Sequence, residues 1–266
     1  MSVYKHEKPE FLNRSLQSIW IEQTIQPSEI VLVKDGPLSD GLNSEINKWQ
    51  TIIENKLKVV TIDKNVGLGN ALNIGLKHCS YELVGRMDSD DISLPNRFQE
   101  QLKVFSNPNI DVCSSSISEF EGSEENLTSY RINPQFDQDI KRYARTKSPV
   151  NHIPVMFKKS CVENVGGYMH MPFFEDYFLW VRLILNDYVF YNIPMVLANI
   201  RGGNDQLSRR RGLKYAKCEL NFLFKIYKIQ FLKWHEFILN SILRFIVRLT
   251  PLFLVKLIYK IHRRYF

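Results

Sequence analysis

Three aspartates, Asp88, Asp90 and Asp91, lie within four consecutive positions directly after a short apolar run. Carboxylates this close together raise one another's pKa unless they share a cation. Mg²⁺ and Mn²⁺ prefer carboxylate oxygens and commonly also hold the phosphates of a substrate. The cluster therefore favours a divalent-metal site that binds a nucleotide diphosphate.

The cluster has two other interpretations. Asp90, Asp91 and Ser93 are residue types that cap helices, and a helix is predicted to start near Leu94. A calcium loop would need Gly at the sixth position from Asp88 and Glu at the twelfth, and the chain has Ser and Gln there. The calcium loop is excluded, and helix capping stays open as the alternative.

A second acidic pair, Glu175 and Asp176, opens the segment EDYFLWVRLIL, which is predicted to be a buried helix. One interpretation is that the helix dipole stabilises these two acids, which is a frequent arrangement at helix starts. The other interpretation is that one of them acts as a catalytic base.

Apolar runs and helical patterns alternate through the first hundred residues, which predicts strands connected by helices and paired in parallel. In open parallel sheets the ligand site lies beyond the carboxyl ends of the strands. Asp35, Asp63 and the Asp88 cluster all lie at the carboxyl ends of predicted strands. The predicted strands are residues 29–37, 57–63 and 81–88, with a short one within residues 1–4.

The rest of the first two hundred residues predicts different elements. Residues 116–135 are polar, acidic and rich in turn formers, which predicts an excursion at the surface. A buried strand, a turn at Gly166 and Gly167 and the helix that opens with Glu175 are predicted to follow.

Several segments together resemble glycosyltransferase family 2 enzymes with the GT-A fold, of the bacterial O-antigen and exopolysaccharide type, including the amylovoran-biosynthesis transferases. The similar segments occur in the family's order within residues 1–205, and they are SVYKHEKPEFLNRSLQSI, PSEIVLVKDGP, NVGLGNALNIGL, RMDSDDISLPNRFQEQL, NHIPVMFKKS, VGGY and FFEDYFLWVRL. The resemblance implies a Rossmann-like α/β domain with a mostly parallel central sheet flanked by helices.

The resemblance also implies an activity and a site. It implies an inverting transfer of a hexose, with Glc or Gal favoured, from a UDP-sugar, with Mn²⁺ or Mg²⁺ as cofactor. Asp90 and Asp88, the two acids of the family's DxD motif, would hold the metal, with Asp90 as the main ligand, and Asp88 would also face the donor. The further residues expected to bind the donor are Val3, Tyr4, Asp35, Asn65, Gly67, Asn73, Arg86 and Asp91.

Roles on the acceptor side follow from the same resemblance. Asp176 would be the base that removes the acceptor's proton, with Glu175 beside it, and His152 would lie near the acceptor. A single His among apolar residues is also commonly structural. Arg86 would offset diphosphate charge, or alternatively form a structural ion pair with the neighbouring acids.

Charge is distributed unevenly along the chain of 266 residues. Residues 207–266 carry 14 Lys/Arg and two acidic residues, a net charge of +12, whereas the remainder carries a net charge of −5. This end is predicted to be a basic amphipathic helical region on the cytoplasmic face of the bacterial inner membrane, following a catalytic domain at 1–206. Arg244 and Arg248, one helical turn apart, contribute to that basic character.

Alternatives remain for the basic end and for the whole chain. The end would otherwise be a helical cap on the catalytic domain, and nucleic acid ranks last as a partner because it leaves the acidic residues unexplained. An undecaprenyl-diphosphate-linked sugar is the acceptor that the resemblance implies, in lipopolysaccharide, O-antigen or exopolysaccharide assembly. The competing functions are a non-enzymatic membrane-bound scaffold with a GT-A-like fold and a transferase that uses another nucleotide-sugar donor.

Two further features complete the sequence prediction. The four cysteines lack metal-ligand spacing and are expected to be thiols of a reducing compartment, and residues 1–11 lack the pattern of a secretory signal. The first strand is short compared with the family, so the natural start is expected to lie upstream of Met1.

Overall fold

The computed structural model describes residues 1–202 and 212–250, which form two compact units. Within the described residues, the first unit comprises residues 1–170 and 175–202, and the second comprises 171–174 and 212–250. The predicted domain boundary between positions 206 and 207 lies outside the described residues.

The first unit alternates strands and helices. Its strands are β1 (Ser2–Val3), β2 (Ile30–Asp35), β3 (Leu57–Ile62), β4 (Leu83–Gly85), β5 (Ile92–Ser93), β6 (Val112–Phe120), β7 (Leu127–Arg131), β8 (Met156–Lys158) and β9 (Phe190–Arg201). Its helices are α1 (Pro9–Trp20), α2 (Asp40–Ile53), α3 (Leu68–His78), α4 (Arg97–Phe105), α5 (Asp137–Tyr143), α6 (Lys159–Asn164) and α7 (Glu175–Leu185), with a 3₁₀ turn at Glu54–Lys56.

The first three strands form a parallel sheet in the order β1-β2-β3. Helix α1 starts with Pro9, whose fixed φ suits a first helical position, and buries Leu12, Leu16 and Ile19 in the core beside this sheet. Helix α3 lies so close to β2 that a Cβ added at Gly75 would be 2.9 Å from Val33 Cγ2. The predicted strand, helix and strand succession is confirmed here.

The other six strands form a mixed sheet in the order β4-β8-β6-β9-β5, with β7 paired to β6. Only the β6–β9 pairing is parallel among the described strands of this sheet. The GT-A expectation of a sheet flanked by helices holds, and parallel pairing dominates in the three-stranded part alone.

The predicted surface excursion at residues 116–135 is wrong for residues 116–120, which form the largely buried end of β6, whereas β7 is a mostly exposed strand. The strand was missed because β6 buries serines, which resemble loop residues in a sequence. Ser114 Oγ donates to the Asn151 carbonyl at 2.8 Å, and Ser118 Oγ donates to Asn199 Oδ1 at 2.5 Å. These bonds satisfy the hydroxyls, so a polar strand can be buried.

The second unit contains two helices, α8 (Gly212–Lys228) and α9 (Trp234–Leu249). Glu219 of α8 is buried and accepts hydrogen bonds from Arg244 Nη1 at 2.8 Å and from Arg248 Nε at 2.7 Å. These two arginines therefore pair with Glu219 inside the unit. Among the described residues, no helix is both long enough and apolar enough to span a bilayer.

Candidate active site

The acidic cluster lies in the connection between β4 and β5. Asp88, Asp90 and Asp91 each place a carboxylate oxygen within 4.8 Å of the others. Asp91 is buried, whereas Asp88 and Asp90 are half-buried. Three carboxylate oxygens this close together are ligands of the type that a hard divalent cation prefers, and they could hold one.

Asp88 is held from two sides. Arg86 donates to both of its carboxylate oxygens, through Nη1 at 2.6 Å and through Nη2 at a shorter distance, and Ser15 Oγ donates to its main-chain oxygen at 2.7 Å. The Arg86 side chain is only 4% exposed. Of the two interpretations of Arg86, this geometry matches the structural ion pair. Each Asp88 oxygen keeps a further lone pair for a ligand.

Asp90 and Asp91 both have raised pKa values. Burial, together with the charges of Asp88 and Glu7, raises the pKa of Asp90 to about 6. Burial and the charges of Asp88 and Asp90 raise the pKa of Asp91 well above its ordinary value. A bound divalent cation would offset this excess negative charge, so the donor set and its charge both fit Mn²⁺ or Mg²⁺.

The capping alternative for the cluster is wrong. Helix α4 begins at Arg97, and its N-cap residue Asn96 makes no capping bond through its side chain. Asp91 instead accepts a hydrogen bond from the main-chain N–H of Arg201 at 2.7 Å. Ser93 Oγ lies 3.2 Å from Gln23 Nε2, which donates to it.

A second polar group forms where β2 and β3 end. Asp35 is buried, and its carboxylate accepts hydrogen bonds from Asn65 Nδ2 at 2.9 Å and from the main-chain N–H of Val66 at 2.7 Å. Gly36 allows the close approach, because it has φ of +87° and an added Cβ would lie 2.7 Å from Asn65 N. The structure thus joins Asp35 and Asn65, two residues that the resemblance assigns to the donor side, whereas Asp63, at the end of the next predicted strand, is exposed.

The remaining residues expected at the donor side differ in exposure. Val3 is fully buried in the core and exposes no surface to a ligand, which is contrary to its expected place in the donor pocket, whereas Tyr4 is 44% exposed. Gly67 is the N-cap residue of α3, with φ of +84°. Gly69 follows it, and an added Cβ there would lie 3.4 Å from Glu175 Cγ. The start of α3 and the start of α7 therefore lie side by side.

Asn73 and Tyr168 form a two-point clamp between α3 and the Gly166–Gly167 turn. Asn73 Nδ2 donates to the Tyr168 carbonyl at 2.7 Å, and the Tyr168 N–H donates to Asn73 Oδ1 at 2.7 Å. Gly167 has φ of +66°, and an added Cβ would lie 2.4 Å from Asn73 Oδ1. Asn73 thus positions Tyr168.

The Tyr168 side chain is buried and is influenced by the charges of both groups of acids. Its hydroxyl lies 2.9 Å from His152 Nε2. Burial raises the pKa of Tyr168, and the charges of Asp176 and Asp88 add to that rise. Burial and the charge of Arg86 hold the pKa of His152 well below its ordinary value, so the imidazole is neutral at pH 7. Asp176 and Asp88 thus act on the same buried phenol.

Comparison with known proteins identifies the family. The family profile described as glycosyl transferase family 2 matches residues 1–164, more than half of the chain. The chain belongs to glycosyl transferase family 2.

The glycosyltransferase is similar to known relatives over nearly its whole length. It is 37% identical to the amylovoran biosynthesis glycosyltransferase AmsE of Erwinia amylovora, over 99% of this chain and 98% of the relative. It is also 37% identical to the UDP-Gal:alpha-D-GlcNAc-diphosphoundecaprenol beta-1,3-galactosyltransferase of Escherichia coli, over 98% of this chain and 94% of that enzyme.

Solved structures show that the glycosyltransferase has the GT-A fold. The crystal structure of S. aureus TarS 1–349 in complex with UDP-GlcNAc has a TM-score of 0.67 at 16% identity, covering 92% of this chain and 71% of that one. The mannosyltransferase PcManGT from Pyrobaculum calidifontis, in complex with GDP-Man and Mn²⁺, has a TM-score of 0.62 at 18% identity, covering 85% of this chain and 63% of that one.

Three residues around the acids of this glycosyltransferase are not predicted from the sequence, and they are Glu7, Tyr168 and Arg201. Glu7 accepts a hydrogen bond from Ser89 Oγ at 2.7 Å and raises the pKa of Asp90. Tyr168 lies in the segment VGGY, so its position was marked although its role was not. Arg201 carries no signal in the sequence, because it reaches the cluster from 110 residues away.

Proposed function

We propose that the protein is an inverting glycosyltransferase that moves a hexose, with Glc or Gal favoured, from a UDP-sugar to a lipid-linked acceptor such as GlcNAc-diphosphate-undecaprenol. The observation that carries the proposal is the convergence of three carboxylates within 4.8 Å, in a chain similar along nearly its whole length to an enzyme named for UDP-Gal and an undecaprenol-linked acceptor. The product would serve O-antigen or exopolysaccharide repeat-unit assembly.

The donor would lie between the Asp35 group and the acidic cluster. The exposed Tyr4 ring suits stacking on a uracil base, and Asp35 keeps lone pairs for hydrogen bonds from the nucleoside. Asn65 fixes the orientation of Asp35, and Gly67 leaves space at the start of α3, since nothing lies within 4 Å of an added Cβ.

Asp90 and Asp91, with Asp88 held by Arg86, would hold Mn²⁺ or Mg²⁺. The bound metal would offset the negative charge that develops on the departing diphosphate. Asp88 would serve mainly to hold its loop and complete the ligand set, since Arg86 already engages both of its oxygens.

Asp176 would be the general base that takes the acceptor's proton as the hydroxyl attacks the anomeric carbon. It lies in the first turn of α7, and Glu175 beside it packs near Gly69 at the start of α3. His152 would face the acceptor side as a neutral imidazole fixed by Tyr168, because its lowered pKa removes it as a proton donor at pH 7. Inversion follows from a single displacement with one base.

The second unit supports a membrane partner. The Arg244 and Arg248 side chains of α9 form ion pairs with the buried Glu219, and the exposed face of this helix is apolar. A surface helix of a water-soluble domain usually has the opposite arrangement, with its apolar face buried and its charged face exposed. The exposed apolar residues of α9 are Trp234, Ile238, Leu239, Ile242, Leu243, Phe245, Ile246 and Val247.

Helix α8 adds basic groups to the same unit. Its exposed lysines lie on one helical face, and they are Lys214, Lys217, Lys225 and Lys228. Apolar and basic surfaces within one hairpin are typical of helices that lie in the headgroup region of an anionic bilayer. We therefore place the protein peripherally on the cytoplasmic face of the inner membrane, where a lipid-linked acceptor is presented.

The test is release of UDP by purified protein with Mn²⁺, a panel of UDP-sugars and a synthetic lipid-diphosphate-GlcNAc acceptor. We expect acceptor-dependent release with one donor, lost in Asp90→Ala and kept in Asp139→Ala, an exposed acid on α5. Release from a GDP- or TDP-sugar instead would favour the alternative donor class. Absence of turnover with every nucleotide sugar in wild-type protein that binds vesicles would favour the scaffold.

A further inference from the structure

Arg201, the last residue of β9, contacts both of the neighbouring acids of the cluster. Its main-chain N–H donates to Asp91 Oδ1 at 2.7 Å, and its side-chain Nε donates to the main-chain oxygen of Asp90 at 3.1 Å. One residue from a distant strand therefore fixes a carboxylate and the peptide group that precedes it.

Two aromatic rings hold the Arg201 side chain in place. Its guanidinium carbon lies 3.7 Å from the centre of the Phe11 ring and 4.7 Å from the centre of the Phe120 ring. Cation–π contacts at these distances are attractive and restrict a long side chain that would otherwise be mobile. The Nε–H donor is thus held at a fixed position relative to the acidic loop.

Fixed geometry matters here because three like charges repel one another in a partly buried site. Without outside contacts, the loop would relax so that the carboxylates move apart. Loss of a hydrogen-bond partner that orients a metal ligand typically costs about 10–100-fold in metal affinity or activity. The contacts of Arg201 act on the two acids expected to hold the metal.

We propose that Arg201 is a positioning residue for the divalent-metal site, holding Asp90 and Asp91 at the spacing that the cation requires before the cation arrives. The inference rests on the proposed function in one respect, the use of a divalent metal by the acidic cluster. It assigns Arg201 no contact with the reacting atoms.

The test measures Mn²⁺ binding directly, by electron paramagnetic resonance of free Mn²⁺, in full-length protein without donor. Arg201→Ala keeps the main-chain N–H, so it isolates the side chain. We expect Mn²⁺ affinity to fall about 10-fold, within the range for lost outer-shell contacts. Arg142→Ala, at a side chain that is 79% exposed, should leave the affinity unchanged.

A second variant separates positioning from charge. Arg201→Lys keeps the positive charge and lacks the Nε–H group, so we expect it to bind Mn²⁺ about as weakly as Arg201→Ala. With donor and acceptor added, saturating Mn²⁺ should restore kcat in both variants. If Arg201→Ala does not fold, Phe11→Leu and Phe120→Leu provide the test, because each removes one aromatic contact of the guanidinium. Each should lower the Mn²⁺ affinity relative to the wild type by less than about 10-fold.

The outcomes distinguish this inference from the proposed function. Equal Mn²⁺ affinity in wild type and folded Arg201→Ala would overturn the role of Arg201 alone, and so would full rescue by Arg201→Lys. Absence of Mn²⁺ binding by the wild type would overturn the metal assignment, and the role of Arg201 with it.

Discussion

Arg86 donates both terminal nitrogens of its buried guanidinium to the carboxylate of Asp88, two residues further along the chain. Asp88 therefore neutralises a buried arginine, a structural role that Asp90 does not have, although both acids belong to the DxD sequence. The two acids should be separable by measurements of stability, even where activity alone would rank them together.

Asp88→Ala should destabilise the metal-free protein. It leaves the charge of Arg86 buried without its partner, which costs about 3–5 kcal/mol for a fully buried pair. Because the Asp88 side chain is 29% exposed, we expect about 2–3 kcal/mol. Urea unfolding with a chelator present measures this free energy, and an unchanged midpoint would show that Arg86 finds another partner.

Asp90→Ala should have the opposite effect on the metal-free protein at pH 8. The pKa of Asp90 in the folded state is about 6, above its ordinary value, so its charged form destabilises the fold. As the pH falls from about 6 towards 4, Asp90 becomes protonated in the folded state, and this destabilisation is lost. The stability gained in Asp90→Ala, roughly 1–3 kcal/mol, should therefore be present at pH 8 and shrink by pH 5.

Mn²⁺ binding should weaken as pH falls from 7.5 to 5.5. Asp90, with a pKa of about 6, and Asp91, with a raised pKa, must lose their protons to bind the cation. We expect the affinity to fall by up to about tenfold per pH unit for each proton displaced. Calorimetric titration at several pH values measures this, and an affinity constant across the range would contradict the assigned ligands.

Asp176→Asn should lower kcat by about 10²–10⁴-fold, the usual contribution of a general base. Its binding of Mn²⁺ and UDP should match that of the wild type, because Asp176 lies on α7 and is absent from the acidic cluster. Glu175→Gln is the matched control and should retain more activity. An equal loss in both variants would assign the base to neither residue alone.

Ile242→Asp should weaken binding to vesicles that contain phosphatidylglycerol. Ile242 is 54% exposed on the apolar face of α9, and burying such a side chain contributes about 1.5–3 kcal/mol. A loss of about tenfold or more in co-sedimentation is expected. Ile132→Asp is the control, since Ile132 is 71% exposed in the first unit, and equal losses in both variants would exclude α9 as the docking face.

The parts of the site that were predictable lie at the ends of strands. Asp35 ends β2, and the Asp88 cluster follows β4, so strand periodicity alone placed them at positions suited to ligand binding. The pairing of Asp35 with Asn65 is consistent with two strand ends meeting at one edge of a parallel sheet.

Other features depend on contacts that no local pattern encodes. Serines that are buried in β6 resemble loop residues, because the partners of their hydroxyls lie on distant segments. The inward direction of Arg244 and Arg248 depends on a single glutamate on another helix. Helical spacing predicts which residues share a face and leaves open which face is covered.

The contact between Arg201 and Asp91 also bears on the order of events during synthesis. The acids leave the ribosome 110 residues before the arginine that fixes them, and β9 must first pair with β6 and β5. Pairing across such separations forms late, because the intervening chain must be ordered first. A nascent chain therefore carries an unfinished acidic cluster, and completion of that cluster coincides with closure of the six-stranded sheet.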